Sequence, residues 1–237
     1  MRYVVLFFFI TLSFANIKVA TAGNVAFAIK DLAKEFYKQT HIKVTPIIGS
    51  SGKLTAQIER NAPYDIFLSA NMKYPNYLYS HNKAITKPKV YARGKLVLFA
   101  KKGIKNFNDI FKAKKIAIAN PKTAPYGMAT IEYLKNRKIY NQLKSKFIIA
   151  SNISTTFSYA MKVTDYGFIA KSLLFKFPKL NNKNHFINLD TKFYSPIKQG
   201  VVLISNKSEA KKFYKFLFSK KAKNIFLKYG YEVDFKK

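Results

Sequence analysis

The sequence predicts an α/β protein of two lobes, and three observations carry the prediction. Short apolar, β-branched runs alternate with amphipathic helical stretches from residue 17 to residue 204. The chain has 237 residues, of which 49% are hydrophobic and 16% aromatic, enough for a sizeable core in one or two domains. No Pro- or Gly-rich linker and no internal repeat divides it, so two lobes would be tied together by strands.

The first segment bears on the compartment. After Arg2 an apolar stretch runs from Val4 to Ala15 and ends in the small-x-small pattern Ser13-Phe14-Ala15, which reads as a secretory signal peptide over residues 1–15. A membrane span needs roughly 20 apolar residues, and this run is shorter. With no cysteine to carry a lipid, the expectation is a cleaved, soluble, periplasmic protein.

Strands are expected at Ile17–Ala22, Val44–Ile48, Ile66–Ser69, Leu96–Ala100, Ile116–Ala119, Phe147–Ala150, Gly167–Ala170 and Val201–Ile204. The first helix opens at Val25, with Val25, Ile29, Leu32, Ala33 and Phe36 on one apolar stripe. Two more close the chain, one through Ala210, Phe213, Tyr214 and Leu217, the other through Ala222, Ile225, Phe226 and Tyr229. Ser208 and Ser219 are their expected N-caps, and Gly230 stops the last. The strands Lys95–Ala100 and Gly200–Ile204, entered through Gly94 and Gly200, are the candidates to cross between lobes. Lobe one would then comprise residues 16–94 and 200–237 and lobe two residues 95–199, with a cleft between them.

Charge and chemistry exclude several classes. The 43 basic and 11 acidic residues give a net charge of +32, a balance that suggests a polyanion such as nucleic acid. Only four of the basic residues are Arg, however, and the lysines are spread along the whole chain. A base-reading surface concentrates its charge and uses Arg. We therefore read the lysines as solvated faces whose field gathers small anions, and expect no nucleic-acid partner. The histidines His41, His81 and His185 have no metal-ligand spacing, and cysteine is absent. There is no paired general acid and base, no Gly-x-Ser-x-Gly elbow and no P-loop. Asp65, at a strand start, suits turn or capping duty. A binding protein without catalytic residues or cofactor is expected.

Four junctions could bind an anion, because a strand that runs through small polar residues into a helix leaves backbone N–H groups and the positive helix end pointing outward. They are Thr21-Ala-Gly-Asn24, Ile48-Gly-Ser-Ser-Gly-Lys-Leu54, Asn120-Pro-Lys-Thr-Ala-Pro-Tyr-Gly127 before a helix over Met128–Lys135, and Ser151-Asn-Ile-Ser-Thr-Thr156 before another. Two precede the first crossing strand and two follow it. Ser50 and Ser51 add hydroxyl donors.

These segments bring a resemblance with them. Asn24-Val-Ala-Phe-Ala-Ile-Lys-Asp-Leu32, Gly49-Ser-Ser-Gly-Lys-Leu-Thr-Ala-Gln-Ile58, Asn61-Ala-Pro-Tyr-Asp-Ile-Phe-Leu-Ser-Ala70, Asn120-Pro121 with Ala124-Pro-Tyr-Gly127, Tyr166-Gly-Phe-Ile-Ala170 and Ala222-Lys-Asn-Ile-Phe-Leu-Lys-Tyr-Gly230 resemble the periplasmic molybdate-binding proteins of ABC importers. The likeness spans almost the whole chain after residue 15. It implies the type II periplasmic-binding-protein fold, with mixed sheets flanked by helices and a ligand cleft between lobes joined by two crossover strands. It implies capture of molybdate or tungstate by a monomer that delivers the anion to an ABC permease. Matched by motif, the anion would be held by Asn24 and Ser51, with Ser50 beside them, and by the backbone N–H groups of Tyr126 and Ile153. Two positions depart from the pattern: Asn24 stands where many members have serine, and Ala170 where many have a tyrosine hydroxyl, so one donor is missing there. Sulfate, also an unprotonated dianion, is the alternative ligand within this fold, and a secreted polyanion binder is the alternative outside it.

Overall fold

The computed structural model describes residues 16–233; the signal-peptide reading falls on residues 1–15, outside them. Two five-stranded sheets form the molecule. The first uses β1 (Asn16–Ala22), β2 (Lys43–Gly49), β3 (Ile66–Leu68), β4 (Lys89–Gly94) and β10 (Ile197–Leu203), in the order β2-β1-β3-β10-β4. The second uses β5 (Leu96–Phe99), β6 (Ile116–Ala119), β7 (Phe147–Ala150), β8 (Tyr166–Ala170) and β9 (Phe186–Asn188), in the order β7-β6-β8-β5-β9. The wiring repeats. Three parallel strands are followed by an antiparallel one in each sheet, β10 against β3 in the first and β5 against β8 in the second.

Among the described residues eight α-helices flank the sheets: α1 (Ala28–Thr40), α2 (Ser51–Glu59), α3 (Lys73–Ser80), α4 (Pro125–Asn136), α5 (Tyr140–Leu143), α6 (Ile153–Lys162), α7 (Ser208–Phe216) and α8 (Lys220–Lys228). The apolar stripe of α1 buries Ile29, Leu32 and Phe36 with Ile17, Val19, Phe213 and Phe226. Phe36 meets Phe213 edge-on at 5.0 Å, and truncating such a ring costs about 3–5 kcal/mol. The opposite face of this sheet packs Ala20, Phe67 and Val202 against Leu54, Ile58 and Leu78. In the second sheet Phe99, Ile116, Ile118 and Phe168 form a separate core with Tyr133 and Phe157.

Several boundaries differ from the sequence expectation. α1 begins at Ala28 rather than Val25, because Gly23–Val25 first make a 3-10 turn. α4 begins at Pro125, whose fixed φ suits the first helical position, and α6 begins at Ile153 because Asn152 caps it by accepting the Thr155 N–H at 3.0 Å. Ser219 caps α8 through the Ala222 N–H, whereas Ser208 is already inside α7 and caps nothing. Gly230 follows α8 with φ of 72°, a left-handed value suited to glycine. β4 and β9, both at sheet edges, were not expected from the residues.

The passage between sheets is short on the way out. β4 ends at Gly94 and β5 starts at Leu96, leaving Lys95 between them. The return lies between Asn188 and Ile197. Gly200 is therefore no gateway: it sits inside β10, where the register against β4 shifts between Gln199 and Gly200.

Candidate anion site

The four predicted junctions all lie at carboxyl ends of parallel strands. β1 and β2 are neighbours in register, Ala22 opposite Gly49, and β6 and β7 likewise, Ala119 opposite Ala150. Each sheet thus brings two junctions side by side at one rim, where open α/β sheets bind ligands.

The rims meet around a small cavity. Its lining includes Asn24, Ser50, Ser51, Tyr126 and Ile153, five of the six positions singled out from sequence, with Gly23, Gly49 and Ala124 among the rest. The sixth, Ala170, is not among the lining residues. It is buried in β8 opposite Leu96. A roomier surface hollow bounded by Ile58, Asn61, Lys83 and Ile204 offers only exposed or half-buried polar side chains.

Donors converge on the cavity from both rims. Ser51 is fully buried at the first position of α2, and its Oγ accepts the Ala70 N–H at 3.0 Å, which leaves its own proton to give. Ser50 occupies the N-cap position of α2 without capping; its hydroxyl instead bonds Thr123 Oγ1 at 3.2 Å, across to the loop before α4. Tyr126 and Ile153 are at the second and first positions of α4 and α6, where N–H groups have no partner within the helix. None of the lining residues carries a charge. An anion here would be held by dipoles alone.

Further contacts seal the rims together. Gly52 N–H donates to Thr123 O at 2.8 Å, and Ser172 Oγ donates to Asn24 O at 3.0 Å.

Behind Asn24 lies a buried network that the sequence reading missed. Asn24 Nδ2 donates to Gln199 Oε1 at 2.8 Å and to Tyr231 Oη at 2.9 Å. Gln199 Oε1 also accepts from Tyr91 at 2.8 Å, and Gln199 Nε2 donates to Tyr126 Oη at 3.4 Å. Tyr231 Oη donates to Asn24 O. Burial pushes the phenols of Tyr91, Tyr126 and Tyr231 well above the ordinary tyrosine range, so all three are neutral donors. Gly94 makes room for this network, since a Cβ there would collide with the Tyr126 hydroxyl and stand 2.6 Å from Gln199 Nε2. The signal in the sequence was slight: one glutamine between Lys198 and Gly200, ahead of an apolar run.

Asp65 has the structural duty expected of it. It accepts the Lys18 N–H at 2.8 Å and the Ser205 hydroxyl at 2.7 Å and pairs with Lys207. Among the described residues no cluster of His, Cys, Asp and Glu could hold a metal ion, and no helix is long and apolar enough to cross a membrane.

Two mixed α/β sheets with a small cavity of uncharged residues between their rims define a solute-binding protein of the type II class. The chain belongs to the family of bacterial extracellular solute-binding proteins, whose pattern it matches over residues 17–232, and its place of action is outside the cytoplasm. It is 32% identical to the molybdate-binding protein ModA of Azotobacter vinelandii over 227 residues, 92% of this chain and 90% of that protein. Identity to ModA of Rhodobacter capsulatus is also 32%, over 91% of this chain and 87% of the relative. The solved periplasmic molybdate-binding protein of A. vinelandii superposes with a TM-score of 0.86 at 30% identity, covering 92% of this chain and all of that one. The branch that the sequence resembles is the one in which these relatives lie.

Proposed function

We propose that this chain is the receptor of a molybdate importer, capturing molybdate or tungstate and handing it to an ABC permease as a monomer, with no cofactor and no catalysis. The observation that carries the reading is the cavity: four strand–helix junctions meet there with hydroxyl and helix-start N–H groups, and no carboxylate and no cation is among its lining residues. Molybdate and tungstate bear no proton at neutral pH, so a shell of donors suits them. A protonated phosphate would press its O–H against donors and leave it unpaired. The positive surface raises the local concentration of anions and speeds capture. Residues 1–15 are read as a signal peptide cleaved after Ala15, which delivers the chain to the periplasm.

Thermal unfolding with molybdate, tungstate, sulfate or phosphate at matched ionic strength tests this. Ligand at about 1,000 times its Kd stabilises by roughly 4 kcal/mol, a shift of about 8–16 °C for a chain of this size. That shift with molybdate or tungstate and almost none with phosphate supports the reading. An equal shift with sulfate would mean a less selective oxyanion receptor. Equal small shifts with every anion would show only the general positive field and favour a polyanion binder.

A further inference from the structure

The amide of Asn24 faces the cavity the wrong way round for an anion. Both of its N–H bonds point back, to Gln199 and Tyr231, while Oδ1 is buried with no hydrogen-bond partner. In a residue 1% exposed that lines the cavity, an unpartnered acceptor is costly, and beside a dianion it would be repulsive.

The partners behind Asn24 allow a remedy that gives up one doubled bond. Suppose the amides of Asn24 and Gln199 both turn over. Gln199 Nε2 then donates to Asn24 Oδ1 and to Tyr91 Oη, and Tyr91 keeps its bond to Ser69 O. Tyr126, which now accepts from Gln199, becomes the donor to Gln199 Oε1. Tyr231 can give its proton to Asn24 Oδ1, because Ser172 also serves Asn24 O. Tyr231 exchanges its bond to Asn24 O for one to Asn24 Oδ1, Asn24 O keeps Ser172, the orphan disappears, and the Asn24 N–H2 turns to the cavity. A single flip is ruled out, since turning Asn24 alone would set two carbonyl oxygens 2.8 Å apart and turning Gln199 alone would set two N–H2 groups against each other.

We propose that Gln199 is the positioning residue that sets which end of the Asn24 amide meets the ligand, and that anion binding turns the two amides over together. With the carbonyl inward the cavity suits an anion that carries a proton; with the N–H2 inward it suits one that carries none. This rests on the oxyanion reading of the cavity. It also accounts for how Asn24 can stand in for a hydroxyl: a serine rotates freely, whereas an amide needs a partner that rotates with it.

The test is side-chain amide NMR of the purified protein with 15N-labelled Asn and Gln, free and saturated with sodium molybdate. Asn24→Ser and Gln199→Met spectra each lack one N–H2 pair and so assign the two groups. In the free protein the Asn24 N–H2 protons should show contacts to the Tyr231 ring and the Gln199 N–H2 protons to the Tyr126 ring. With molybdate the Asn24 contact should fade and the Gln199 contact should move to the Tyr91 ring. A purely structural Gln199 would leave these contacts unmoved. Gln199→Glu, which can only accept, should pin Asn24 as it now stands and hold its Tyr231 contact when molybdate is added. Heat of binding with the wild-type contacts unchanged, or the turned-over contacts already present without anion, would overturn the proposal. No heat with either molybdate or tungstate would overturn the oxyanion reading itself, and the proposal with it.

Discussion

The two rims of the cavity share a wiring and differ in chemistry. At the first sheet the lining polar groups are side chains, Asn24, Ser50 and Ser51, and a buried network of Gln199, Tyr91 and Tyr231 stands behind Asn24. At the second sheet the donors are main-chain N–H groups at the starts of α4 and α6, and the side chains of Tyr126 and Ile153 serve packing or the network. Both rims offer donors to an oxyanion. Only the first can be retuned by exchanging one side chain for another, because a backbone N–H is indifferent to the residue that carries it unless that residue is proline.

The largest effect should come from the first rim. Asn24→Asp sets a carboxylate against the dianion in a water-poor site, where like charges cost several kcal/mol. Molybdate affinity measured by calorimetry should fall by about 1,000-fold or more. Asn24→Asp that still binds within tenfold of wild type would place the anion away from this rim.

The second rim should tolerate what the first does not. Ile153→Val keeps the N–H and should change affinity by less than about threefold. Ile153→Pro removes the N–H at a helix position that accepts proline, and the extended Asn152 before it, at φ −157° and ψ 174°, is compatible with a following proline. A hydrogen bond to a charged partner contributes about 1.5–3 kcal/mol, so affinity should drop by roughly 10- to 100-fold while far-UV circular dichroism stays unchanged. Equal effects of the two substitutions would mean that the Ile153 side chain, not its backbone, matters.

What could be read in the sequence follows the same division. The four junctions were legible because a strand running through Ser, Asn or Gly into a helix is a local pattern, and Asn24, Ser50, Ser51, Tyr126 and Ile153 indeed line one cavity. Strands buried on both faces, such as Ile116–Ala119 and Val201–Leu203, announce themselves as apolar runs. β4 does not, since Lys89 and Arg93 punctuate an edge strand. The network was illegible for another reason. Gln199 is 175 residues from Asn24, and Tyr231 lies 207 residues away. No local pattern announces that the turn after β1, strands β4 and β10, helix α4 and the segment after α8 bring their polar groups to one point.

Gly94 sharpens the comparison from the side of stability. It ends β4 beneath the Tyr126 hydroxyl and Gln199 Nε2, where an added methyl must push the network apart. Overpacking of a tight site costs about 1–3 kcal/mol. Gly94→Ala should therefore lower Tm by several degrees, and it should weaken molybdate binding even though residue 94 does not line the cavity. A variant with reduced Tm and unchanged affinity would show that the network supports the fold but not the site.

The smallest effect is that of pH, and it separates the rims again. No lining residue except Tyr126 titrates, and its phenol is held well above the ordinary range by burial, so the molybdate Kd should be flat from about pH 6 to 9. Stability behaves otherwise at the alkaline end. Tyr229 is pushed up to about 12 by burial and by its hydrogen bond to Asp31, whereas a tyrosine in the unfolded chain ionises near 10. A phenol raised in this way stabilises the fold fully below about pH 10, and that contribution is lost as pH rises from there through about 12. Tyr231 and Tyr91, raised further by burial, extend the loss to higher pH. Tm should hold level to about pH 9 and then decline, and Tyr229→Phe should flatten the first part of the decline while leaving binding at pH 7 unchanged. Loss of molybdate binding before Tm begins to fall would instead place a titrating group at the cavity, and Tyr126 on the second rim is the lining residue that Tyr126→Phe would then test.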